Sequence, residues 1–380
     1  WSRGVLSGVF SLSRLEGGLL GPVEGFLVDK FGPRRMMLIG IPVMGVGFML
    51  LSQVNSLLSL YLVYILTITF GSSIGTFAPV GAAVANWFNR KRSRAIGFVM
   101  AGVAVGGAVF LPILGWLITA YSWRHAAFVS GLIVIGGGMP VALLMRHKPE
   151  QYGLYPDGIA PVVSQDGDGQ DGQAVSTPEE VEIGGRQSLK TPAFWFLGLS
   201  SALRSIVTTG LTIHFVAMMV DRGFSLTMAS TLLGSVALLS IIGRLGLAWL
   251  GDIMDKRFLL AATMWLMGFS MLGLSQVEAT WAVLAMLLVY AIAYGGAIVL
   301  PLALQADYFG RRSFATIRGL MQSVQTGGML VGPVLAGFAY DATESYFMAF
   351  VGFGIAALLA GFLVIGIRRP ANLSVAPLEA

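Results

Sequence analysis

The stretch Gly25-Phe26-Leu27-Val28-Asp29-Lys30-Phe31-Gly32-Pro33-Arg34-Arg35 separates two apolar runs of helical length. Gly32 and Pro33 do not continue a helix comfortably, so they predict a tight reversal between the two runs. Asp29 would lie at the C-terminal end of the first helix, where the helix dipole is negative, and it therefore needs a positive partner. The basic residues of the loop indicate that it lies on the cytoplasmic side of a membrane.

Composition places the chain in the membrane. Of its 380 residues, 56% are hydrophobic and only 11% are charged, and the mean hydropathy is +0.78. A soluble domain carries about 25% charged residues, so the chain is expected to be an integral membrane protein. The net charge of +5 suggests nucleic acid at first sight. The cations lie at the ends of apolar runs, however, so no nucleic-acid partner is expected.

Eleven apolar runs are long enough to span a bilayer. They lie at about 6–28, 36–53, 57–86, 95–119, 125–145, 192–217, 226–250, 258–275, 280–304, 315–339 and 346–367. The basic residues between them fall on alternate sides, with 18 of the 24 on one side. The positive-inside rule therefore predicts a cell (inner or plasma) membrane protein with a cytoplasmic C-terminus and an external start.

The two ends of the chain repeat each other. Residues 79–115 and 301–337 carry prolines, glycines and a Phe-x-Arg motif in the same order, and Asp252 with Arg257 echoes Asp29 with its basic neighbours. Such symmetry is typical of transporters. The expected units are an N-terminal bundle (1–146), a polar and disordered cytoplasmic linker (147–190), a C-terminal bundle (191–369) and a cytoplasmic tail (370–380).

The pattern Gly-x-x-x-Asp-Lys-x-Gly-x-Arg-Arg, which begins at Gly25, resembles the signature loop of the major facilitator superfamily. The resemblance implies an all-α membrane protein with two pseudo-symmetric six-helix bundles. Only five runs precede the linker, so the first helix of the family is expected to be missing, which leaves eleven helices and a truncated chain. The turn at 149–158 and Gly21-Pro22 resemble the bacterial monocarboxylate and oxalate/formate antiporter branch.

Charged residues within the apolar runs are the candidates for function, because charge inside a membrane is costly. Arg204 lies twelve residues after Pro192, about 18 Å into the bilayer, and Arg244 lies eight residues before Asp252, about 12 Å from the cytoplasmic end. Neither run holds a carboxylate in its core, so each arginine needs an anionic ligand or a carboxylate from another helix. In the resembled branch an arginine in the eighth helix contacts the substrate carboxylate, and Arg244 is similar to it.

Structural alternatives stay open for both arginines. Arg204 could pair with Glu16 or Glu24, and Arg244 could bind Asp252 or helix-end carbonyls. Four further residues are candidates for a proton site or a charge pair: Arg14, Glu16, Glu24 and His214. Arg14 and Glu16 are expected to form a structural pair. His214 is expected to be a structural histidine, with its hydrogen bonds satisfied, at the outer end of its helix.

A conformational latch at the cytoplasmic end is expected from the signature loop and its repeat. Its members would be Gly25, Asp29, Lys30, Gly32, Arg34, Arg35, Asp252 and Arg257. The resemblance also implies that Asp29 faces the N-terminal end of the family's eleventh helix, here near residues 313–316. The chain departs from the family pattern in two places. Residues 57–85 carry no charge, and the run 315–339, which corresponds to the family's eleventh helix, has Gln322 and Gln325 where oxalate exchangers carry a lysine. No hydrolase, kinase or metal-binding motif is present, so no enzyme activity, metal or cofactor is expected.

The sequence therefore predicts a secondary active transporter of a small organic anion, a monocarboxylate or dicarboxylate, working by alternating access. Protons or a counter-anion are candidate coupling partners. Two alternatives remain: a transporter of neutral or amphipathic solutes on the same fold, and a nutrient sensor that does not transport.

Overall fold

The computed structural model describes residues 3–158 and 183–370, with side chains from residue 12, and over these residues every regular element is helical. The long helices are α1 Arg3–Phe31, α2 Pro33–Leu51, α3 Leu57–Trp87, α4 Arg92–Ala120, α5 Trp123–Leu144, α6 Pro192–Asp221, α7 Leu226–Gly251, α8 Lys256–Gln276, α9 Thr280–Phe309, α10 Phe314–Thr343 and α11 Phe347–Ile365. Nine of them are long and apolar enough to cross a membrane; the two others, α1 and α10, are long but more polar.

The helices begin where short polar side chains can accept hydrogen bonds from the free N–H groups of the first turn. Five helices are capped in this way, α3 by Ser56, α5 by Ser122, α6 by Thr191, α7 by Ser225 and α8 by Asp255. The ends agree with the apolar runs to within a few residues. The largest differences are at the C-terminal ends of α6, α9 and α10, which continue past the apolar run into polar sequence.

Two groups of helices form the bundle, an N-terminal half (α1–α5) and a C-terminal half (α6–α11). Within the halves, α2 packs on α5, α6 on α10, α7 on α9 and α8 on α11. Between the halves, α1 packs on α10 and α4 packs on α7 and α9. The C-terminal half has one continuous buried core, which includes Phe194, Phe215 and Phe350.

Glycines allow the helices of the two halves to approach closely. A methyl group on Gly319 of α10 would lie 2.0 Å from the carbonyl oxygen of Gly21 in α1, and one on Gly25 would lie 2.1 Å from that of Ala315. A methyl group on Gly97 of α4 would lie 2.6 Å from Ala248 Cβ of α7. Each of these contacts lies toward one end of the molecule, called here the basic end, which carries Gly32 and the α9–α10 loop.

On the α4 side the halves separate away from the basic end, whereas α1 stays in contact with α10 as far as Arg14 and Met329. In α4, Gly102, Gly106 and Gly107 have no atom within 4 Å of the position that a methyl group would take. The same holds for Gly327 and Gly337 of α10. The contacts between α4 and α7 therefore stop near Met100, and the molecule is closed at its basic end.

The α3 helix is irregular in its middle. Two stretches are π-helical, Tyr64–Thr69 and Ser73–Phe77, and three α-helical residues lie between them. Such stretches are rare and often occur at functional sites. Here they lie on the helix that packs against α1.

Both ends of the interhelical segment 147–190 are folded; a turn at 149–158 was expected, whereas the short helix at 185–188 corrects the expectation of disorder there. Pro149–Tyr152 and Pro156–Gly158 form 3₁₀ turns, and Gly185–Ser188 forms a short helix. The Asp157 carboxylate accepts hydrogen bonds from the backbone N–H groups of Asn89, Arg90 and Lys91, just before α4 begins. Residues 159–182 and 371–380 lie outside the described residues. The disorder of the linker and the assignment of a cytoplasmic tail therefore stay predictions.

Substitution of Gly319 is expected to open the basic end. The extra methyl group of Gly319→Ala would overlap the Gly21 backbone unless α1 and α10 move apart. The chain has no cysteine, so spin labels on Lys91→Cys and Arg312→Cys can report the distance across the basic end. We expect a longer distance in Gly319→Ala than in the parent, with Gly327→Ala, on the same helix but without neighbours, as the control. Identical distance distributions for the parent and Gly319→Ala would contradict the close contact.

Candidate functional site

Asp29 joins the two halves at the basic end. Its carboxylate accepts hydrogen bonds from the backbone N–H groups of Ala315 (3.1 Å) and Thr316 (2.7 Å) and from the Thr316 hydroxyl (2.6 Å). These residues form the first turn of α10, where the helix dipole is positive. The positive partner of Asp29 is therefore a helix N-terminus.

Asp252 forms the equivalent contact in the other direction. It lies at the C-terminal end of α7 and accepts hydrogen bonds from the N–H groups of Ser93 (2.9 Å) and Arg94 (3.2 Å) in the first turn of α4. The Arg94 side chain adds an ion pair of 3.0 Å. The pseudo-symmetric halves thus exchange one carboxylate each.

Asp307, at the end of α9, completes the closure. It forms 2.7 Å ion pairs with Arg92 of α4 and with Lys256 of α8, so it links a cation of each half. Asp307, Arg92 and Arg94 were not among the latch residues predicted from the sequence. The internal repeat could have indicated these residues, because α4 and α10 begin at equivalent positions of the two halves.

The predicted latch cations do not join the halves, whereas Gly25 does so through its close approach to Ala315. Arg257 donates to the carbonyl oxygen of Ile367 in its own half, which corrects its assignment to the latch. Arg34 and Arg35 are exposed, and Lys30 lies over the rings of Phe26 and Phe31. Among the described residues, none of these three makes an ion pair with the other half.

Gly32 shapes the reversal between α1 and α2. Its φ of 84° lies in the region that favours glycine, and the imidazole of His147 packs against it, 3.3 Å from where a methyl group would be. Burial lowers the pKa of His147, and the adjacent Lys148 lowers it further, so the ring is neutral at pH 7. The imidazole of His147 therefore covers Gly32 of the signature loop.

Arg204 and Arg244 converge on the same tyrosine in the middle of the C-terminal half. Both guanidinium groups lie within electrostatic range of the Tyr294 phenol, and Arg204 also lies near Tyr290. The rings of Tyr290 and Tyr294 stack with their centroids 5.8 Å apart. Arg204 is 9% exposed and Arg244 is 8% exposed.

Neither arginine has a carboxylate partner among the described residues. Arg244 donates to the carbonyl oxygen of Met100 in α4, and its Nε has no acceptor. Arg204 Nε is likewise buried without an acceptor. The pairing of Arg204 with Glu16 or Glu24, left open by the sequence, is not formed.

Arg318 is a third cation, which the sequence did not assign to the anion site. It lies in the second turn of α10, within electrostatic range of Arg204, and donates to Gln322 Oε1 at 3.3 Å. Gln325, one turn further, is buried with an Oε1 that accepts no hydrogen bond.

Glu16 and Glu24 lie on α1, and their carboxyl groups contact each other. Arg14 does not pair with Glu16, which corrects that expectation; its Nη1 lies 3.7 Å from Met329 Sδ. His214 Nε2 lies 3.0 Å from the carbonyl oxygen of Pro333 and its ring lies beside Tyr346. His214 thus has the local partner expected of a structural histidine.

A separate cavity of about 450 Å³ lies between α3, α4 and α5 and is apolar. Val80, Trp87 and Leu144 are among its lining residues, and none of the arginines or glutamates described above lines it.

The arrangement of three arginines with two tyrosines and no carboxylate is thus the part of the described chain best suited to hold an anion.

The family model for the Major Facilitator Superfamily matches residues 1–309 and 197–380. Monocarboxylate transporter 13 of Bos taurus is 28% identical over 348 residues, covering 90% of this chain and 74% of the relative. The oxalate:formate antiporter of Oxalobacter formigenes is 27% identical over 373 residues, covering 95% of this chain and 82% of the relative.

Solved structures share the fold. A human organic anion transporter superposes with a TM-score of 0.71 at 17% identity, covering 95% of this chain and 84% of its own. A bacterial homologue of the iron transporter ferroportin, in its outward-facing state, superposes with a TM-score of 0.70 at 16% identity, covering 96% and 90%. The all-helical fold expected from the sequence is confirmed.

Loss of the Asp29 charge is expected to weaken closure. Asp29→Asn keeps the shape but removes the charge that faces the α10 dipole, an interaction of about 0.3–2 kcal/mol. The closed-to-open ratio should fall by about two- to thirtyfold. Asp255→Asn is the matched control, because Asp255 caps α8 within one half. Spin-label distances across the basic end measure both; an unchanged ratio in Asp29→Asn would rule out the latch.

Proposed function

Because the chain belongs to the Major Facilitator Superfamily, a family of membrane transporters and not of enzymes, we propose that it is a secondary transporter of a small organic anion, a monocarboxylate or dicarboxylate. The observation that carries the proposal is a set of three arginines without carboxylate partners among the described residues, the buried Arg204 and Arg244 and the partly buried Arg318. The names of the curated relatives, a monocarboxylate transporter and an oxalate:formate antiporter, support the same class of substrate.

An unpaired arginine at this depth is costly. Placing one charge at the bilayer centre costs about 2.5–3.5 kcal/mol on insertion scales, and arginine does not escape the cost by losing its proton. The free Nε atoms of Arg204 and Arg244 are donors that a carboxylate could satisfy. A bound anion would thus supply both the charge and the hydrogen-bond acceptors that the protein leaves out.

The number of cations bears on the substrate. Arg204 and Arg244 approach Tyr294 from α6 and α7, and Arg318 approaches Arg204 from α10. One carboxylate could be held by Arg244 with the Tyr294 hydroxyl, and a second by Arg204 with Arg318. Three cations exceed the need of a single carboxylate, which favours a dicarboxylate.

Alternating access assigns a role to the closed basic end. By the positive-inside rule this end is cytoplasmic. With Asp29, Asp252 and Asp307 engaged, the molecule would be open to the outside, where the anion enters. Release inward then requires these three carboxylates to leave their partners.

A second candidate, transport of a neutral or amphipathic solute, has one specific observation in its favour. Arg244 already donates to the Met100 carbonyl across the halves, which is a structural use of that side chain. On this alternative the arginines hold the bundle together and the substrate carries no charge.

Transport by purified protein in liposomes distinguishes the two. We expect saturable uptake of oxalate or lactate but not of glucose, and a rise of about 10–100-fold in KM for Arg244→Lys, because a point charge does not reproduce the bidentate fork. Arg204→Ala should weaken anion binding more than it lowers the yield of folded protein.

Arg124→Lys is the control for these substitutions. Arg124 bonds to Val54 and Asn55 between α2 and α3, away from the arginine cluster. Uptake of the neutral solute, or an unchanged KM for the anion in Arg244→Lys, would favour the alternative. Binding without flux would indicate a sensor.

Arg318 is expected to select between substrates. Arg318→Gln removes the third charge but can still bond to Gln322. We expect the KM for a dicarboxylate to rise about tenfold or more, with a smaller change for a monocarboxylate. Equal changes for the two substrates, measured as competition against labelled anion, would place Arg318 outside the binding site.

A further inference from the structure

Glu16 and Glu24 form a buried pair that the anion site does not use. They lie about two turns apart on one side of α1, and their carboxyl groups contact each other. Glu16 is 8% exposed and Glu24 is 1% exposed. Carboxylates are almost never buried to this extent unless they are paired.

The pair has fewer hydrogen-bond donors than two carboxylates need. Glu24 Oε2 accepts a hydrogen bond from the Ser73 hydroxyl of α3. Among the described residues, no donor reaches Glu24 Oε1 or either oxygen of Glu16. An ionised carboxylate can only accept, so two ionised groups in contact would leave three oxygens unsatisfied.

Among the side chains that the structure describes, no cation neutralises the pair. The elements packed against α1 are α2, α3 and α10, together with a few residues at the ends of the neighbouring helices. Their charged and titratable residues, with those of α1 itself over the described side chains, are Arg14, Asp29, Lys30, Arg34, Arg35, Tyr61, Tyr64, Arg318, Tyr340 and Asp341. None of them forms an ion pair with either glutamate.

These constraints require a proton. Two carboxylates in contact and out of water cannot both be charged, whereas one carboxylic acid and one carboxylate can share a hydrogen bond. The added proton supplies the donor that the site lacks and removes one of the two charges. The chemistry of the pair therefore differs from that of the arginine cluster, which lacks acceptors.

We propose that Glu16 and Glu24 are a proton-binding site, holding one proton between the two carboxyl groups while the basic end is closed and releasing it to water when α1 leaves α10. The same helix makes the closest backbone contacts between the halves, at Gly21 with Gly319 and at Gly25 with Ala315. Protonation thus stabilises the closed basic end, and loss of the proton favours its opening. The proposal does not depend on which substrate is carried.

Infrared spectroscopy of the substrate-free protein in liposomes tests the site directly. We expect a carbonyl band of a protonated carboxyl at pH 7 that disappears at alkaline pH and is missing in E16Q/E24Q. Glu16→Gln and Glu24→Gln are measured singly as well, so that the assignment survives if the double variant folds poorly. Glu278→Gln, which changes an exposed carboxylate at the opposite end, should keep the band.

The outcomes of this experiment are decisive. A band of unchanged size in E16Q/E24Q would place the proton elsewhere and overturn the proposal. A band that is absent from the parent in sodium buffer and appears when sodium is replaced by a bulky organic cation would show a metal-cation site and would also overturn it. Neither result requires transport activity, so failure here is distinct from failure of the anion proposal.

A second measurement tests the link to conformation. With spin labels on Lys91→Cys and Arg312→Cys, the closed-to-open ratio of the parent should fall as pH rises, by up to about tenfold per pH unit for one proton. Asp29 is present in the parent and in E16Q/E24Q, so its own titration contributes equally to both. A flatter curve in the double variant supports the coupling; coincident curves refute it.

Discussion

A charge that leaves water has to be neutralised by what surrounds it, and this constraint sorts every ionisable group of the bundle. At the basic end the carboxylates of Asp29, Asp252 and Asp307 meet helix N-termini and cations of the opposite half. Deeper in the bundle, and within the part of the chain that the structure describes, three arginines have no carboxylate partner and two glutamates form no ion pair. The completed pairs hold the halves together, and the incomplete ones are where ligands would bind.

The separation of the two incomplete sites has a physical logic. The arginines lie in the C-terminal half and the glutamates in the N-terminal half, so direct neutralisation, which the sequence allowed, would have cancelled both. Held apart, one site favours an anion and the other favours a proton. The α10 helix touches both, because Arg318 faces the arginine cluster while Gly319 packs on α1. Movement of that helix would change the surroundings of both sites.

The sequence was a good guide wherever a pattern was local. Apolar runs predicted the helices to within a few residues, and the spacing around Asp29 predicted the fold. Side-chain partners were harder to predict, because they depend on how each helix is rotated and tilted. Arg257 bonds within its own half, Arg14 lies beside Met329, and Arg318 lies near Arg204. The contact of Asp29 with the start of α10 was implied by the resemblance to the family and is formed in the structure; composition alone could not indicate it, because backbone N–H groups are present at every helix start.

The π-helical stretches of α3 have a consequence for the register of that helix. Each π turn holds one residue more than an α turn of similar rotation, so side chains beyond it are displaced by about 100° from their places on an ideal α-helical wheel. Ser73 follows the stretch Tyr64–Thr69, and its meeting with Glu24 depends on that displacement. Restoring ideal periodicity before Ser73 would swing its hydroxyl away from α1 and leave the glutamate without its one donor. The one extra residue of the π-helical stretch therefore decides which face of α3 the acidic pair meets.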